Sequence, residues 1–288
     1  MDKNEWIGLR NRHIPSGTAD ASVSLIVTTY NSPDRLELTL CSVLSQTVMP
    51  GEIIVADDGS TSDTTAIIRL CQSVFPVPVK HVWQSDKGFR LSLIRNKAIR
   101  QAEAPYIIQI DGDVILERHF IEDHLHFRKT GHVIIASRMN YTTRATEKKL
   151  RTRNIRISCM TLPFTFFPLF RNIRSRGLAN YFISKSCDRD IKWAAGSNMS
   201  YWKEDALSIN GFDNDLIGWG YEDNDFINRM KNSGISTITI KHNCIQGHLR
   251  HVKNVREHTQ HNKSVAFERK QQQVTWIENG YRESYRIE

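Results

Sequence analysis

Cysteine is scarce and unpatterned. Cys41, Cys71, Cys159, Cys187 and Cys244 are scattered through 288 positions without a CxxC pair. This leaves a disulfide-stapled scaffold and a zinc ribbon without support, and a reduced cytosolic compartment is the expected setting. Long hydrophobic runs are missing as well: none approaches the roughly 18 to 20 residues of a membrane-spanning helix. The opening from Met1 to Trp6 is too polar for a secretory signal, so any membrane contact is expected from the side. Only 15 glycines and 8 prolines exclude collagen, and 40% apolar against 24% charged residues excludes a disordered chain. No Walker A loop, GxSxG elbow or GxGxxG fingerprint occurs, so P-loop, α/β-hydrolase and dinucleotide-binding readings lose their support. No internal repeat is visible.

What is abundant is positive charge, and it is concentrated. The chain carries a formal +8. Between Arg144 and Cys187, ten basic residues face a single acid, Glu147, so this segment nets +9 and the remainder nets −1. The charges flank the most apolar stretch, Cys159 to Phe170, which holds Pro163 and Pro168. Two readings stand for this segment. One is an interfacial anchor whose apolar side chains take acyl chains and whose cations take anionic headgroups of a membrane. The other is an insertion folded onto the body or a partner subunit. Nucleic acid is not expected, because no recognition motif accompanies the charge.

Ser22 to Tyr30 and Glu52 to Ala56 are β-branched runs that stop at polar loops, and both predict buried strands. Between them Leu36, Leu40, Val43 and Leu44 recur at helical spacing behind Pro33, and Ala66, Ile67, Leu70 and Val74 repeat the pattern after a Ser/Thr/Asp cluster. A third unit follows, with a strand over 79–83, a helix over 91–102 and a strand over 106–110. Further on, a helix near 203–208, a helix over 226–232 and a strand over 235–240 are expected. Such alternation implies an α/β fold with a mostly parallel sheet covered on both faces. The tail from Gln271 is polar and expected at the periphery, with Trp276 and Tyr281 able to pack.

In a sheet of this kind ligands lie beyond the carboxyl ends of the strands. There stand Thr28-Thr29-Tyr30-Asn31, Asp57-Asp58 and Asp111-Gly112-Asp113. Asp111 and Asp113 sit two apart on a sharp turn, able to face one hard cation that also takes diphosphate oxygens. Acids alone are common in turns; clustering after two apolar strands is what implies a metal or a basic ligand. Glu222, Asp223 and Asp225 follow Trp219 between glycines. They either favour a helix dipole or, with the indole as a stacking surface, hold a sugar and supply a general base. Of eleven histidines, only His248, after the final strand, is expected as a third metal ligand. Arg95 is expected against a phosphate or a structural carboxylate.

Val27-Thr28-Thr29-Tyr30-Asn31, Ser45-Gln46-Thr47, Glu52 to Ser60, Arg95-Asn96 and Ile110-Asp111-Gly112-Asp113 resemble the N-terminal half of a family 2 glycosyltransferase with the GT-A fold. Ala195 to Met199, Asn210-Gly211-Phe212-Asp213 and Gly218 to Asp225 resemble the acceptor half shared by bacterial chondroitin polymerase domains, β-1,4-galactosyltransferases and polypeptide GalNAc-transferases. The resemblance covers 22–136 and 191–251 and implies a Rossmann-like catalytic domain. Its parts would be an extension (1–21), a nucleotide-sugar-binding half (22–136), a basic and apolar insertion (137–190), an acceptor half (191–251) and a tail (252–288).

By that resemblance Thr28, Tyr30 and Asp58 hold the uridine, with Arg90 and Arg95 nearby. Asp111 meets ribose and metal, and Asp113 and His248 ligate Mn²⁺ or Mg²⁺. Asp223 is the catalytic base, and Trp219 and Glu222 contact the acceptor. Two departures stand out: Tyr221 replaces a glycine of the galactosyltransferases, and the segment from Arg144 to Cys187 has no counterpart. The implied activity is inverting transfer from a UDP-sugar (Gal, GalNAc or GlcNAc type) to a glycan or glycolipid hydroxyl in bacterial surface polysaccharide synthesis. The implied location is the cytoplasm or the inner membrane face. The alternatives are a non-catalytic sugar-nucleotide sensor or peripheral membrane scaffold, and a polyanion-binding module built on 144–187.

Overall fold

The computed structural model describes residues 3–13, 19–136, 138–157, 173–186, 196–251 and 257–287. Seven strands form the central sheet, in the order β3-β2-β1-β4-β8-β6-β9. They are β1 (Asp20–Thr29), β2 (Pro50–Asp57), β3 (Val79–Trp83), β4 (Tyr106–Asp111), β6 (His132–Ala136), β8 (Asn198–Trp202) and β9 (Ser236–Ile240). All pairings are parallel except those of β8, which runs antiparallel to β4 and β6. Alternation along each strand divides the core. Val23, Leu25 and Val27 of β1 with Ile53 and Val55 of β2 serve one face, while Ile26, Ile54 and Ala56 serve the other. Because both faces are covered, these strands read as nearly continuous apolar runs.

Helices α1 (Lys3–His13), α2 (Pro33–Leu44), α3 (Ser62–Val74) and α5 (Phe120–Phe127) contribute to the first face, and α4 (Leu91–Gln101), α8 (Lys203–Ser208) and α9 (Glu222–Asn232) to the second. The predicted strands and helices up to β4 fall within two residues of their expected bounds. Near the start of the chain, Trp6 is fully buried, its ring 6.1 Å from that of Phe75. The tail also returns to the body. Tyr281 donates its N–H to the Asn210 carbonyl at 2.7 Å, and Arg100 lies over the Tyr281 ring at 4.2 Å.

A second sheet of three short strands joins β5 (Val114–Leu116), β10 (Gln246–His248) and β7 (Arg138–Asn140) in the order β5-β10-β7. Its register opposes His248 to Val114 and to Asn140, which brings a residue from late in the chain beside the Asp111-Gly112-Asp113 turn. Gly112 is required there, because a Cβ would stand 2.9 Å from the Thr28 carbonyl oxygen.

The basic segment is partly accounted for. Arg153, which closes α6 (Thr143–Thr152), pairs with the buried Glu37 at 2.8 Å. Arg174 grips the buried Asp123 at 2.6 Å, and Arg176, at the start of α7 (Arg176–Ser186), meets Glu122 at 2.7 Å. Lys149 is itself buried, donating to the carbonyls of Asn154 and Arg156. A buried carboxylate needs a nearby cation, so these charges hold the insertion to the body. The apolar centre of the segment, Cys159 to Phe170, lies outside the described residues. No helix among the described residues is long and apolar enough to cross a membrane, and Cys41, Cys71 and Cys244 are free, buried thiols.

Between the two halves Asn96 acts as a clamp. Its Oδ1 accepts the Phe212 N–H at 2.9 Å, and its Nδ2 donates to the Phe212 carbonyl at 2.7 Å and to Asn214 Oδ1 at 2.9 Å. Asn96→Ala would leave these buried groups without partners, at about 2–3 kcal/mol. Urea denaturation is expected to show a lower midpoint with an unchanged slope.

Candidate active site

The carboxyl ends of β1 and β4 lie side by side, with Thr28 in register with Asp111. The Thr28 hydroxyl donates to Asp111 Oδ1 at 3.1 Å. One strand further out, Asp58 is buried and accepts from Gln84 Nε2 at 2.6 Å and from the Arg90 backbone N–H at 2.8 Å. Burial pushes the Asp58 carboxyl above its ordinary range despite these bonds. Tyr30, exposed, donates its hydroxyl to Asp86 at 2.8 Å. Thr28, Tyr30, Asp58 and Arg90 therefore lie at one end of the sheet.

Asp113 and His248, expected as metal ligands, lie 3.2 Å apart, and His251 joins them at 3.1 Å from the same Asp113 oxygen. The three ligand atoms lie within 4.8 Å of one another. Burial opposes ionisation of Asp113, but hydrogen bonds from both imidazoles outweigh it and hold the carboxyl well below its ordinary range. Its other oxygen, Oδ1, is buried with no hydrogen-bond partner. An aspartate with an unspent oxygen beside two imidazoles is an O and N donor set that fits a divalent cation of the Mn²⁺ type. Asp111 stands apart from this trio. Its nearest cations are Arg95 at 3.8 Å and Arg138 at 3.9 Å, and burial together with Asp113 pushes it up. His251 is a ligand candidate that the sequence does not single out among many late histidines. Its local signal is its place three residues after His248, in the loop that follows the strand.

Arg95 connects this group to the acceptor half. It is almost completely buried, with Asp223 Oδ1 at 2.8 Å, Glu222 at 3.6 Å, Asp111 at 3.8 Å and the Phe212 ring 5.1 Å from its guanidinium carbon. Its partners are thus carboxylates. Asp223 is held from the other side by the Gly196 N–H at 2.9 Å, and a Cβ at 196 would collide with its carboxylate. Gln109, buried in β4, donates to the Gly196 carbonyl at 3.0 Å, so the sheet itself positions the loop that orients Asp223. Glu222 is pushed up to about 7 by burial and by Asp223. Tyr221, the residue before α9, has φ 70°, a left-handed conformation that glycine adopts at least cost.

Asp111, Asp113, His248, His251 and Trp219 line a common cleft of about 900 Å³. The loop carrying Trp219 is fastened by α10 (Thr259–Gln271), whose buried Asn262 donates to the carbonyls of Ile217 and Gly220, both at 3.1 Å.

A mostly parallel sheet with an acidic turn after its fourth strand, closed by a small sheet that returns a histidine to that turn, defines a glycosyltransferase of the GT-A class. The chain belongs to glycosyl transferase family 2, whose pattern matches residues 24–188; a second pattern, described as the N-terminal domain of galactosyltransferase, matches 177–258. It is 27% identical over 241 residues to validoxylamine A glucosyltransferase of Streptomyces hygroscopicus subsp. limoneus, covering 77% of this chain and 51% of that protein. It is 25% identical over 224 residues to chondroitin synthase of Escherichia coli, covering 74% of this chain and 32% of the synthase. The chain thus spans about half or less of these relatives. GalNAc-T7, solved with UDP, GalNAc and Mn²⁺, shares the fold at 14% identity with a TM-score of 0.56, covering 86% of this chain and 48% of that one.

The Glu222 environment has a consequence for stability. Below its ordinary 4.5 the residue is protonated in both folded and unfolded chains. Stability is lost as pH climbs from there toward 7, because the unfolded chain ionises first. Glu222→Gln removes this loss. In chelator, denaturation midpoints of variant and wild type are expected to converge near pH 4, with the variant the more stable at pH 8.

Proposed function

We propose that this protein is an inverting glycosyltransferase that moves a sugar from a UDP-sugar to a hydroxyl of a glycan or glycolipid, in the assembly of a bacterial surface polysaccharide. The observation that carries the reading is Arg95: one buried guanidinium ties Asp223, the candidate base, to Asp111 on the turn that also bears Asp113. That guanidinium links the base to the turn, although Asp223 itself is not among the residues lining the cleft with Asp113, His248 and His251. The likeness to chondroitin synthase supports the acceptor class, and the intact Asp111, Asp113 and Asp223 argue against a non-catalytic scaffold.

Asp223 takes the proton of the acceptor hydroxyl while Arg95 and the Gly196 N–H keep its carboxylate oriented. The acceptor oxygen forms a bond to the anomeric carbon from the face opposite the diphosphate, the bond from that carbon to the diphosphate oxygen breaks, and UDP departs. A Mn²⁺ or Mg²⁺ ion held by Asp113, His248 and His251 would supply positive charge to the leaving diphosphate. Trp219 offers a flat face to a sugar ring at the cleft wall. Glu222, with its raised affinity for a proton, can donate a hydrogen bond to the acceptor near neutral pH. Thr28, Tyr30, Asp58 and Arg90 form the wall for the uridine.

A UDP-release screen across UDP-Gal, UDP-GalNAc and UDP-GlcNAc with glycan and glycolipid acceptors tests the reading; no release with any pair would refute it. With the active pair, Asp223→Asn should lose about 10²- to 10⁴-fold in turnover and keep its affinity for UDP. Asp113→Ala should instead lose the Mn²⁺-dependent part of UDP binding in calorimetry, and equal binding with and without Mn²⁺ in the wild type would remove the metal from the proposal.

A further inference from the structure

Arginines of the described residues fall into two kinds. Arg95, Arg153, Arg174 and Arg176 each meet a carboxylate at 2.6–2.8 Å. Arg35 of α2 and Arg250, two residues beyond β10, line the cleft and have no carboxylate partner among the described residues. The Arg35 guanidinium reaches only the Arg250 carbonyl, at 3.4 Å, and its Nε is buried with no hydrogen-bond partner. Arg138, at the start of β7, completes the wall. Its nearest acid is Asp111 at 3.9 Å, beyond hydrogen-bonding distance, and its other contact is the Ser197 hydroxyl at 3.5 Å. The Arg250 backbone is fixed in place, its N–H donating to Thr146 of α6 at 2.9 Å. A partly buried guanidinium with an unspent donor is costly unless a ligand completes it.

We propose that Arg35, Arg138 and Arg250 form a phosphate-binding subsite beside the Asp113–His248–His251 cluster. Three guanidinium groups drawn from separate elements suit the several oxygens and the double charge of a phosphoryl group better than a carboxylate, which offers two oxygens and one charge. Glu147, exposed on α6, is the acid on that wall outside the Asp111-Gly112-Asp113 turn. The phosphoryl group has two sources in the glycosyl-transfer reading: the donor's diphosphate, or a phosphoryl group on the acceptor. The subsite deepens that reading, but its binding test requires no transfer and so fails or succeeds separately.

Inorganic pyrophosphate titrated into the protein in EDTA is the probe. Arg35→Gln and Arg250→Gln should each weaken its binding about tenfold or more, whereas Lys263→Gln, which removes an equal charge outside the cleft, should not. Arg35→Lys and Arg250→Lys keep the charge and should retain most of the affinity, with thermal melting confirming that each variant is folded. Repeating the titration with saturating UDP separates the sources. Competition assigns the subsite to the donor's diphosphate, and undiminished binding assigns it to a second phosphoryl group. Absence of pyrophosphate binding, or equal affinity in wild type and the Arg35→Gln/Arg250→Gln double variant, would overturn the proposal.

Discussion

A guanidinium leaves water only where opposite charge and hydrogen-bond acceptors compensate it, and that condition governs the position of Arg95. Three acids meet it: Asp111 from the end of β4, and Glu222 and Asp223 from the start of α9. Burial first, and then a neighbouring carboxylate, Asp223 for Glu222 and Asp113 for Asp111, holds both above their ordinary ranges. Arg95 sits on α4, and the next residue, Asn96, clamps the Phe212 backbone. One helical turn therefore joins the half of the molecule that ends its strands in acids to the half that carries Trp219. Charge, backbone bonding and the stacked pair Phe212–Phe226, 4.1 Å apart, all act on the same junction.

The Asp113–His248–His251 cluster is assembled by a different device. A three-residue strand, β10, inserts between β5 and β7, and its register decides which side chain reaches the turn after β4. A slip of one residue would direct Gly247 or Leu249 at Asp113. Tyr141 blocks the alternative from below, since a side chain at 247 would run into its ring. The cluster thus depends on packing around Gly247 as much as on its own donors.

Much of the architecture was legible locally. Buried parallel strands must be apolar on both faces, so β1, β2 and β4 stand out as short runs that end in acids. Helices α2, α3 and α4 carry apolar residues at helical spacing. Helix α10 escaped notice because its buried residues are Asn262 and Ala266; it is held by hydrogen bonds and by Arg269, which pairs with Asp213 and Asp225. The buried Trp6 leaves no such signal, because a single anchor has no period to read, whereas the aromatic side chains of the tail marked it as able to pack. The basic segment was legible as charge but not as use, because Glu37 and Asp123, the buried acids it neutralises, lie on other elements.

The sequence by itself determined the alternating strands and helices, the acids at the strand ends and the family to which they belong, since each is written in neighbouring residues. Only the tertiary structure decided that His251 joins His248 on Asp113, that Arg95 binds carboxylates, and that Arg35, Arg138 and Arg250 face one cleft, Arg35 and Arg250 without a carboxylate partner among the described residues. The physical reason is range. Periodicity and turn chemistry act within a few residues, whereas the neutralisation of a buried charge is settled by whatever the fold brings near. For Arg95 and Asp223 that partner lies 128 residues away.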